Sequence, residues 1–146
     1  MRIQDEVILA LTLWRENRCG GAPGMKSVAN VILNRSAKHH LTVYEVCVLP
    51  LQFSSMTAKG DPELNLWPND GDAQWQVALG IAALASGGVM DDVTNGATLY
   101  YAPKDQPWKK RWTLPNGESV VFPDGWNQAV VGFTGEIAGQ LFFREV

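Results

Sequence analysis

Apolar and polar residues in the first third of the chain follow a helical period, which predicts two helices joined by a glycine-rich turn. The buried face of the first helix would consist of Val7, Ala10, Leu11 and Trp14. The stretch Cys19-Gly20-Gly21 then ends this helix, because ordering glycine costs more backbone entropy than ordering any other residue. One carboxylate, that of Glu16, therefore falls at the predicted end of the first helix, beside the turn.

The second helix is predicted to begin near Pro23, because proline suits the first turn of a helix. Its apolar stripe would comprise Met25, Val28, Ala29, Ile32, Leu33 and Ser36. The stripe is broad enough to pack against the first helix. Lys38, His39 and His40 would form its solvated end, since cations suit a helix C-terminus.

Two further helices are predicted from their capping residues. Thr42 and Glu45 match a capping box for a short third helix that Pro50 closes. Residues 51–70 show no periodicity and read as a long loop. Asp72 would cap a fourth helix that reaches about Ser86.

The last third of the chain has the composition of short strands. We predict strands at 97–101, 120–122 and 130–133, and a hairpin between 131–137 and 141–144. Residues 104–117 read as a loop. The predicted fold class is α+β: a helical N-terminal part of about four helices, then a small antiparallel sheet, in one domain spanning residues 1–146.

Composition narrows the classes of function. The net charge of −3 argues against a nucleic-acid binder, which needs a basic face. The start of the chain lacks a secretory signal and no run of 18 apolar residues occurs, so we expect synthesis in the cytoplasm and no stable membrane insertion. The two cysteines show no metal-ligand spacing, so no metal or cofactor is expected. We also expect a monomer.

Several stretches, in order along the chain, resemble the spore cortex-lytic (SleB-like) cell wall hydrolases. The motif of that family, W-x-E-A-R-G-E followed by G-M-x-x-V-A-N-V-x-L-N-R, is similar to residues 14–18 and 24–35. Residues 52–54, 96–103 and 139–144 resemble further parts of the family pattern. The chain departs from the motif at Gly20, where the family has a second glutamate, and at Cys19, which replaces a glycine.

The resemblance implies a lysozyme-like or lytic-transglycosylase-like groove that binds peptidoglycan glycan strands. It further implies a lytic transglycosylase or muramidase that cleaves between N-acetylmuramic acid and N-acetylglucosamine, with Glu16 as the acid. One carboxylate suffices to form a 1,6-anhydro product, whereas ordinary glycosidases use two. Asp91 and Asp92 would be the first candidates for a hidden second acid. A compact chain without a wall-binding module is also similar to phage endolysins, which reach the wall after release from the cytoplasm.

Candidate substrate-binding residues come from the same stretches, and two alternative functions remain open. The candidates are Arg18, Asn34, Gln52, Ser54, Tyr100, Tyr101 and Trp108. In a strand, the two tyrosines point to opposite sides, so one should face the core and the other the groove. One alternative function is a non-catalytic glycan-binding module, and the other is an amidase or peptidase that uses Cys19 as a thiolate nucleophile.

Overall fold

The computed structural model describes residues 1–105, 110–123, 125–127 and 130–146. The chain divides into two compact units, Met1–Val93 and Thr94–Val146. The first unit is helical, and the strands of the described residues all lie in the second, so the predicted α+β class is confirmed. No helix in the described part of the chain has both the length and the apolar character needed to cross a membrane.

Helix α1 (Ile3–Asn17) is the central element of the first unit and packs against four other helices. Residues 9–15 are all buried, so its middle faces protein on every side rather than along one stripe. The prediction for Val7 was wrong, because this residue is 53% exposed near the N-terminal end of the helix. Ala10, Leu11 and Trp14 are buried as predicted.

Helix α2 (Gly21–His39) follows a single 3-10 turn, Arg18–Gly20, and begins two residues before the predicted Pro23. Gly21 has φ +62°, a left-handed conformation that glycine adopts without strain. The predicted stripe is confirmed at Met25, Val28, Ala29 and Ile32, which are fully buried. Leu33 and Ser36 are only half-buried.

The remaining helices of the first unit are α3 (Val43–Val48), α4 (Ser54–Thr57) and α5 (Ala73–Ser86). Both predicted caps are confirmed. Thr42 Oγ1 accepts from the Glu45 N–H at 3.1 Å, and Asp72 Oδ1 accepts from the N–H groups of Gln74 and Trp75 at 2.9 and 3.1 Å. The loop prediction for 51–70 was incomplete, because this stretch contains α4 and a 3-10 turn, Pro62–Asn65.

The second unit contains two antiparallel sheets rather than the single sheet predicted. Strands β1 (Leu99–Tyr101), β4 (Val131–Ile137) and β5 (Gln140–Glu145) form one sheet in the order β1-β5-β4. The β4–β5 hairpin is confirmed, and its turn places Ala138 and Gly139 at φ 51° and 78°. Strands β2 (Lys110–Thr113) and β3 (Ser119–Phe122) form the other sheet.

Strand β2 contradicts the prediction of a loop over residues 104–117. Its sequence, Lys-Arg-Trp-Thr, contains one apolar residue and gives no alternation strong enough to indicate a strand. The strand forms through its pairing with β3, and the Trp112 ring lies 5.3 Å from the Phe143 ring in the aromatic core. Long-range packing therefore decides this element.

Candidate functional site

Glu16 occupies the last turn of α1, where its side chain is half-buried. The hydroxyl of Ser55 donates a hydrogen bond to Glu16 Oε1 at 2.7 Å. Ser55 itself is only 4% exposed, so the contact is shielded on the protein side. The carboxyl is thus held in one orientation by a neutral donor, which suits a group that must exchange a proton with a substrate.

The sequence predicts Ser54 as a substrate-binding residue. The serine that contacts Glu16 is its neighbour, Ser55. Ser54 is exposed, and its hydroxyl donates to Asp61 Oδ2 at 2.5 Å. Adjacent residues of a helix point about 100° apart, so only one serine of the pair can face α1. No local signal in the sequence distinguishes the two.

The short helix α4 is held in place by tertiary contacts. One turn of helix is not stable alone, because helix nucleation is unfavourable. Phe53, immediately before it, is 2% exposed, and the Arg35 guanidinium lies 5.3 Å from its ring centroid. The position of Ser55 against Glu16 therefore depends on the packing of Phe53, two residues before it.

Arg15 supplies the second anchor for this region and was missed by sequence analysis. Its guanidinium donates to Ser55 O at 3.3 Å, and its Nε and Nη2 both donate to Leu66 O at 3.1 and 3.0 Å. The side chain is buried, and burial lowers the pKa of its guanidinium, although arginine stays charged in proteins. A charged residue in a buried stretch of helix is the signal that would have indicated such a role.

Arg18 forms an ion pair with Glu63 through two parallel bonds, Nη1–Oε2 at 2.5 Å and Nη2–Oε1 at 2.8 Å. The hydrogen bond with Glu63 raises the pKa of Arg18, and the guanidinium lies 4.2 Å from the Trp14 ring centroid. Trp14 in turn donates through Nε1 to Asp72 Oδ2 at 2.8 Å. This network joins the end of α1 to the loop before α5. A substrate-binding role for Arg18 stays a prediction.

Asn30 and Asn34 lie one turn apart on α2 and bind the segment that contains Asp91 and Asp92. Asn30 Nδ2 donates to Asp91 O at 3.1 Å, and Asn30 Oδ1 accepts from the Val93 N–H at 3.1 Å. Asn34 Nδ2 donates to Asp92 Oδ2 at 3.0 Å. Asn34 as a substrate ligand, and Asp91 or Asp92 as a second acid, both stay predictions.

Gln52 is exposed and lines an open cavity of about 430 Å³ in the first unit. The lining residues are Pro50, Leu51, Gln52, Ser54, Thr57 and Ala58, and Glu16 is not among them. Two predicted substrate-binding residues, Gln52 and Ser54, therefore come together in this cavity. Their roles remain predictions, because the cavity is not lined by the candidate acid.

The Asn17 side chain lies close to Gly20, the position at which the chain departs from the family motif. A Cβ atom at position 20 would lie 2.5 Å from Asn17 Oδ1, and one at Gly24 would lie 2.6 Å from Asn17 Nδ2. The Asn17 carboxamide thus occupies the space above both glycines. A glutamate at position 20 would require Asn17 to move.

Cys19 is exposed, yet neither histidine of the chain lies near it. Cys19 precedes α2, while His39 and His40 stand at the far end of this 19-residue helix, about 28 Å away at 1.5 Å per residue. Burial raises the pKa of the other thiol, Cys47, to about 12. Cys19 therefore lacks the imidazole partner that activates a thiolate nucleophile, and burial disfavours the thiolate form of Cys47.

The two tyrosines of β1 behave differently. Tyr101 is 6% exposed in the core of the second unit, and its hydroxyl donates to Val121 O. Tyr100 is half-buried and stacks on Phe142 with ring centroids 5.7 Å apart. The expectation that one tyrosine faces a core is confirmed, and it is Tyr101. The predicted sugar platform, Trp108, lies outside the described residues.

The site contains a half-buried acid, a buried hydroxyl donor, the ion pair between Arg18 and Glu63, and the hydrogen bonds of Arg15 to backbone carbonyl oxygens. Among the described residues, no group of three or more histidine, cysteine or acidic side chains has an arrangement that could hold a metal ion. The chemistry available to these residues is proton transfer by a carboxyl group.

Comparison with known proteins gives one family. The family model for cell wall hydrolases matches residues 20–122, a region that begins four residues after Glu16. Searches of curated proteins and of solved structures gave no significant match. Because the matched region covers well over half of its 146 residues, this chain belongs to the cell wall hydrolase family, enzymes that act on peptidoglycan.

Proposed function

We propose that the protein is a lytic transglycosylase or muramidase that cleaves the bond between N-acetylmuramic acid and N-acetylglucosamine, with Glu16 as its acid. The observation that carries the proposal is the contact between Glu16 and Ser55: a half-buried carboxyl group held at 2.7 Å by a buried hydroxyl. Family membership supports peptidoglycan as the substrate. The missing histidine partner of Cys19 argues against a thiol-dependent amidase.

The proposed reaction uses one carboxyl group twice. Glu16 donates its proton to the glycosidic oxygen as the bond from that oxygen to the anomeric carbon breaks. The resulting carboxylate then accepts the proton of the muramic acid 6-hydroxyl, whose oxygen closes on the anomeric carbon. The product carries a 1,6-anhydro ring, Glu16 regains its proton, and no water is consumed. A second carboxylate would instead activate a water, or attack the anomeric carbon to form a glycosyl-enzyme that water then hydrolyses, as in most glycosidases.

The setting we propose is the lysis of a bacterial cell by a phage or prophage enzyme. In this proposal the chain is made in the cytoplasm, acts as a monomer and reaches the wall after release. Membership of the cell wall hydrolase family supports the bacterial wall as the site of action in this setting.

The product identifies the reaction. Purified sacculi digested in heavy-oxygen water should give unlabelled anhydro-muropeptides, whereas hydrolysis would place the label in a new reducing end. Freed stem peptides with intact glycan would show an amidase instead. Labelled reducing ends as the main product would refute the single-acid mechanism.

The role of Glu16 is tested by Glu16→Gln, which keeps the shape of the side chain and removes its proton. We expect a loss of lysis by at least about 100-fold with an unchanged thermal unfolding midpoint. Cys19→Ser is the matched control and should lyse sacculi at the parent rate. Near-parental lysis by Glu16→Gln would exclude Glu16 as the acid, and loss of lysis in Cys19→Ser would restore the thiol mechanism.

A further inference from the structure

Trp67 presents a large aromatic ring to solvent in the first unit. It is 71% exposed, whereas Trp14, in the same unit, is 6% exposed. Tryptophan has a large apolar surface and is enriched where proteins bind other molecules, so the contacts that hold this ring and the residues around it bear on its function.

The Trp67 ring is held by the buried residue Arg15. The Arg15 guanidinium lies 4.7 Å from the ring centroid, a cation–π contact. The same guanidinium donates two hydrogen bonds to the carbonyl oxygen of the preceding residue, Leu66. Pro68 follows the ring and restricts the backbone of Trp67 to extended conformations. Little entropy is therefore left to lose when a ligand packs on the ring.

Arg15 also connects the ring to the candidate acid. Its Nη1 donates to Ser55 O, and the Ser55 hydroxyl donates to Glu16. Each contact in this series is 4.7 Å or shorter, so Trp67 lies within the span of a few sugar rings from the carboxyl group. An oligosaccharide bound at Glu16 is long enough to reach it.

The surroundings of the ring favour a sugar over a protein partner. Asn65, Asn69 and Asp70 lie within three residues of Trp67 along the chain and are exposed, so the segment that carries the indole has polar side chains before and after it. Pyranose rings combine an apolar C–H face with hydroxyl and amide groups around the edge. Such a ligand matches an aromatic face with a polar border, whereas the centre of a protein interface is depleted in charged groups.

We propose that Trp67 is a stacking platform for an N-acetylhexosamine ring of the glycan strand, at a subsite remote from the bond that is cleaved. The proposal rests on the proposed function in its choice of ligand. Remote binding contributes affinity without touching the reacting atoms, so the loss of the ring should raise KM more than it lowers kcat.

The test measures binding separately from cleavage. The ligand is glycan strand freed of its peptide stems, and its binding is measured by titration calorimetry. The protein carries Glu16→Gln, so that it does not cleave the ligand, and one further substitution: Trp67→Ala, Trp67→Phe or Val89→Ala. Val89 is the matched control, since it is 69% exposed and lies after α5. We expect Trp67→Ala to weaken binding about tenfold, Trp67→Phe by about threefold or less, and Val89→Ala not at all.

Three results would overturn the platform. They are equal affinity in Trp67→Ala and Val89→Ala, loss of binding to free stem peptides rather than to glycan, and a change of oligomeric state in Trp67→Ala seen by sedimentation. The proposed function is tested by the cleavage product of the parent protein, which this titration does not use. A chain that binds glycan through Trp67 but leaves sacculi intact would refute the proposed function and support the platform.

Discussion

The hydrogen bond from Ser55 to Glu16 gives the sharpest test of the candidate site, through the substitution Ser55→Ala. The change removes the hydroxyl 2.7 Å from Oε1 and leaves the buried backbone, anchored by Arg15, unchanged. A hydrogen bond to a charged group contributes about 1.5–3 kcal/mol. Because one pH unit corresponds to about 1.4 kcal/mol, losing this hydrogen bond should displace the titration of the Glu16 carboxyl group by about one to two pH units.

The direction of the displacement follows from which form of the acid the serine stabilises. The hydroxyl donates, so it favours the ionised carboxylate, and without it Glu16 would keep its proton to higher pH. A general acid is active while protonated. The alkaline limb of the pH–activity profile should therefore move to higher pH in Ser55→Ala, by about one unit or more.

The rate of cleavage should also fall in Ser55→Ala, because the Glu16 carboxyl group loses the hydrogen bond that orients it toward the glycosidic oxygen. We expect kcat on sacculi to drop about tenfold with little change in KM, since Ser55 is buried and does not reach substrate. Once Glu16 is ionised, the free energy of unfolding should fall by about 1.5–3 kcal/mol, because the bond that favours the carboxylate favours the folded state by the same amount.

Turbidity loss of sacculi across a pH series measures both quantities. Ser54→Ala is the matched comparison, since its hydroxyl binds Asp61 and its removal should not move the alkaline limb. Ser55→Thr keeps a hydroxyl and should restore the limb to the parent position. An unshifted limb in Ser55→Ala, or the same shift in Ser54→Ala, would refute the reasoning.

Two predictions concern the stability of the individual units. Asn30→Ala should lower the free energy of unfolding by about 2–3 kcal/mol in urea titration, because Asp91 O and the Val93 N–H both lose their partner; unchanged amide exchange at Val93 would contradict it. Burial raises the pKa of Tyr101 from 10.0 to about 12, so the neutral phenol favours the folded state. The neutral phenol should stabilise the folded state fully below pH 10.0, and this stabilisation should be lost as the pH rises to about 12. Thermal unfolding measured across this pH range should show the loss in the parent protein but not in Tyr101→Phe.

Local patterns determined much of the helical unit. The caps at Thr42 and Asp72 depend on side chains that reach backbone N–H groups two or three residues away, so sequence spacing alone predicts them. The turn of the β4–β5 hairpin is equally local, because Ala138 and Gly139 alone adopt the positive φ angles that reverse the chain. The position of Glu16 at the end of α1 follows from the glycines after it.

The tertiary structure decided what surrounds Glu16. The sequence shows two adjacent serines, and only the packing of α4 against α1 makes Ser55, rather than Ser54, the donor. It likewise shows an ordinary arginine at position 15, whose burial and bonds to residues 51 positions away arise from long-range contacts. Local sequence predicts elements whose bonds close within a few residues, whereas side-chain partners across the chain depend on how those elements pack.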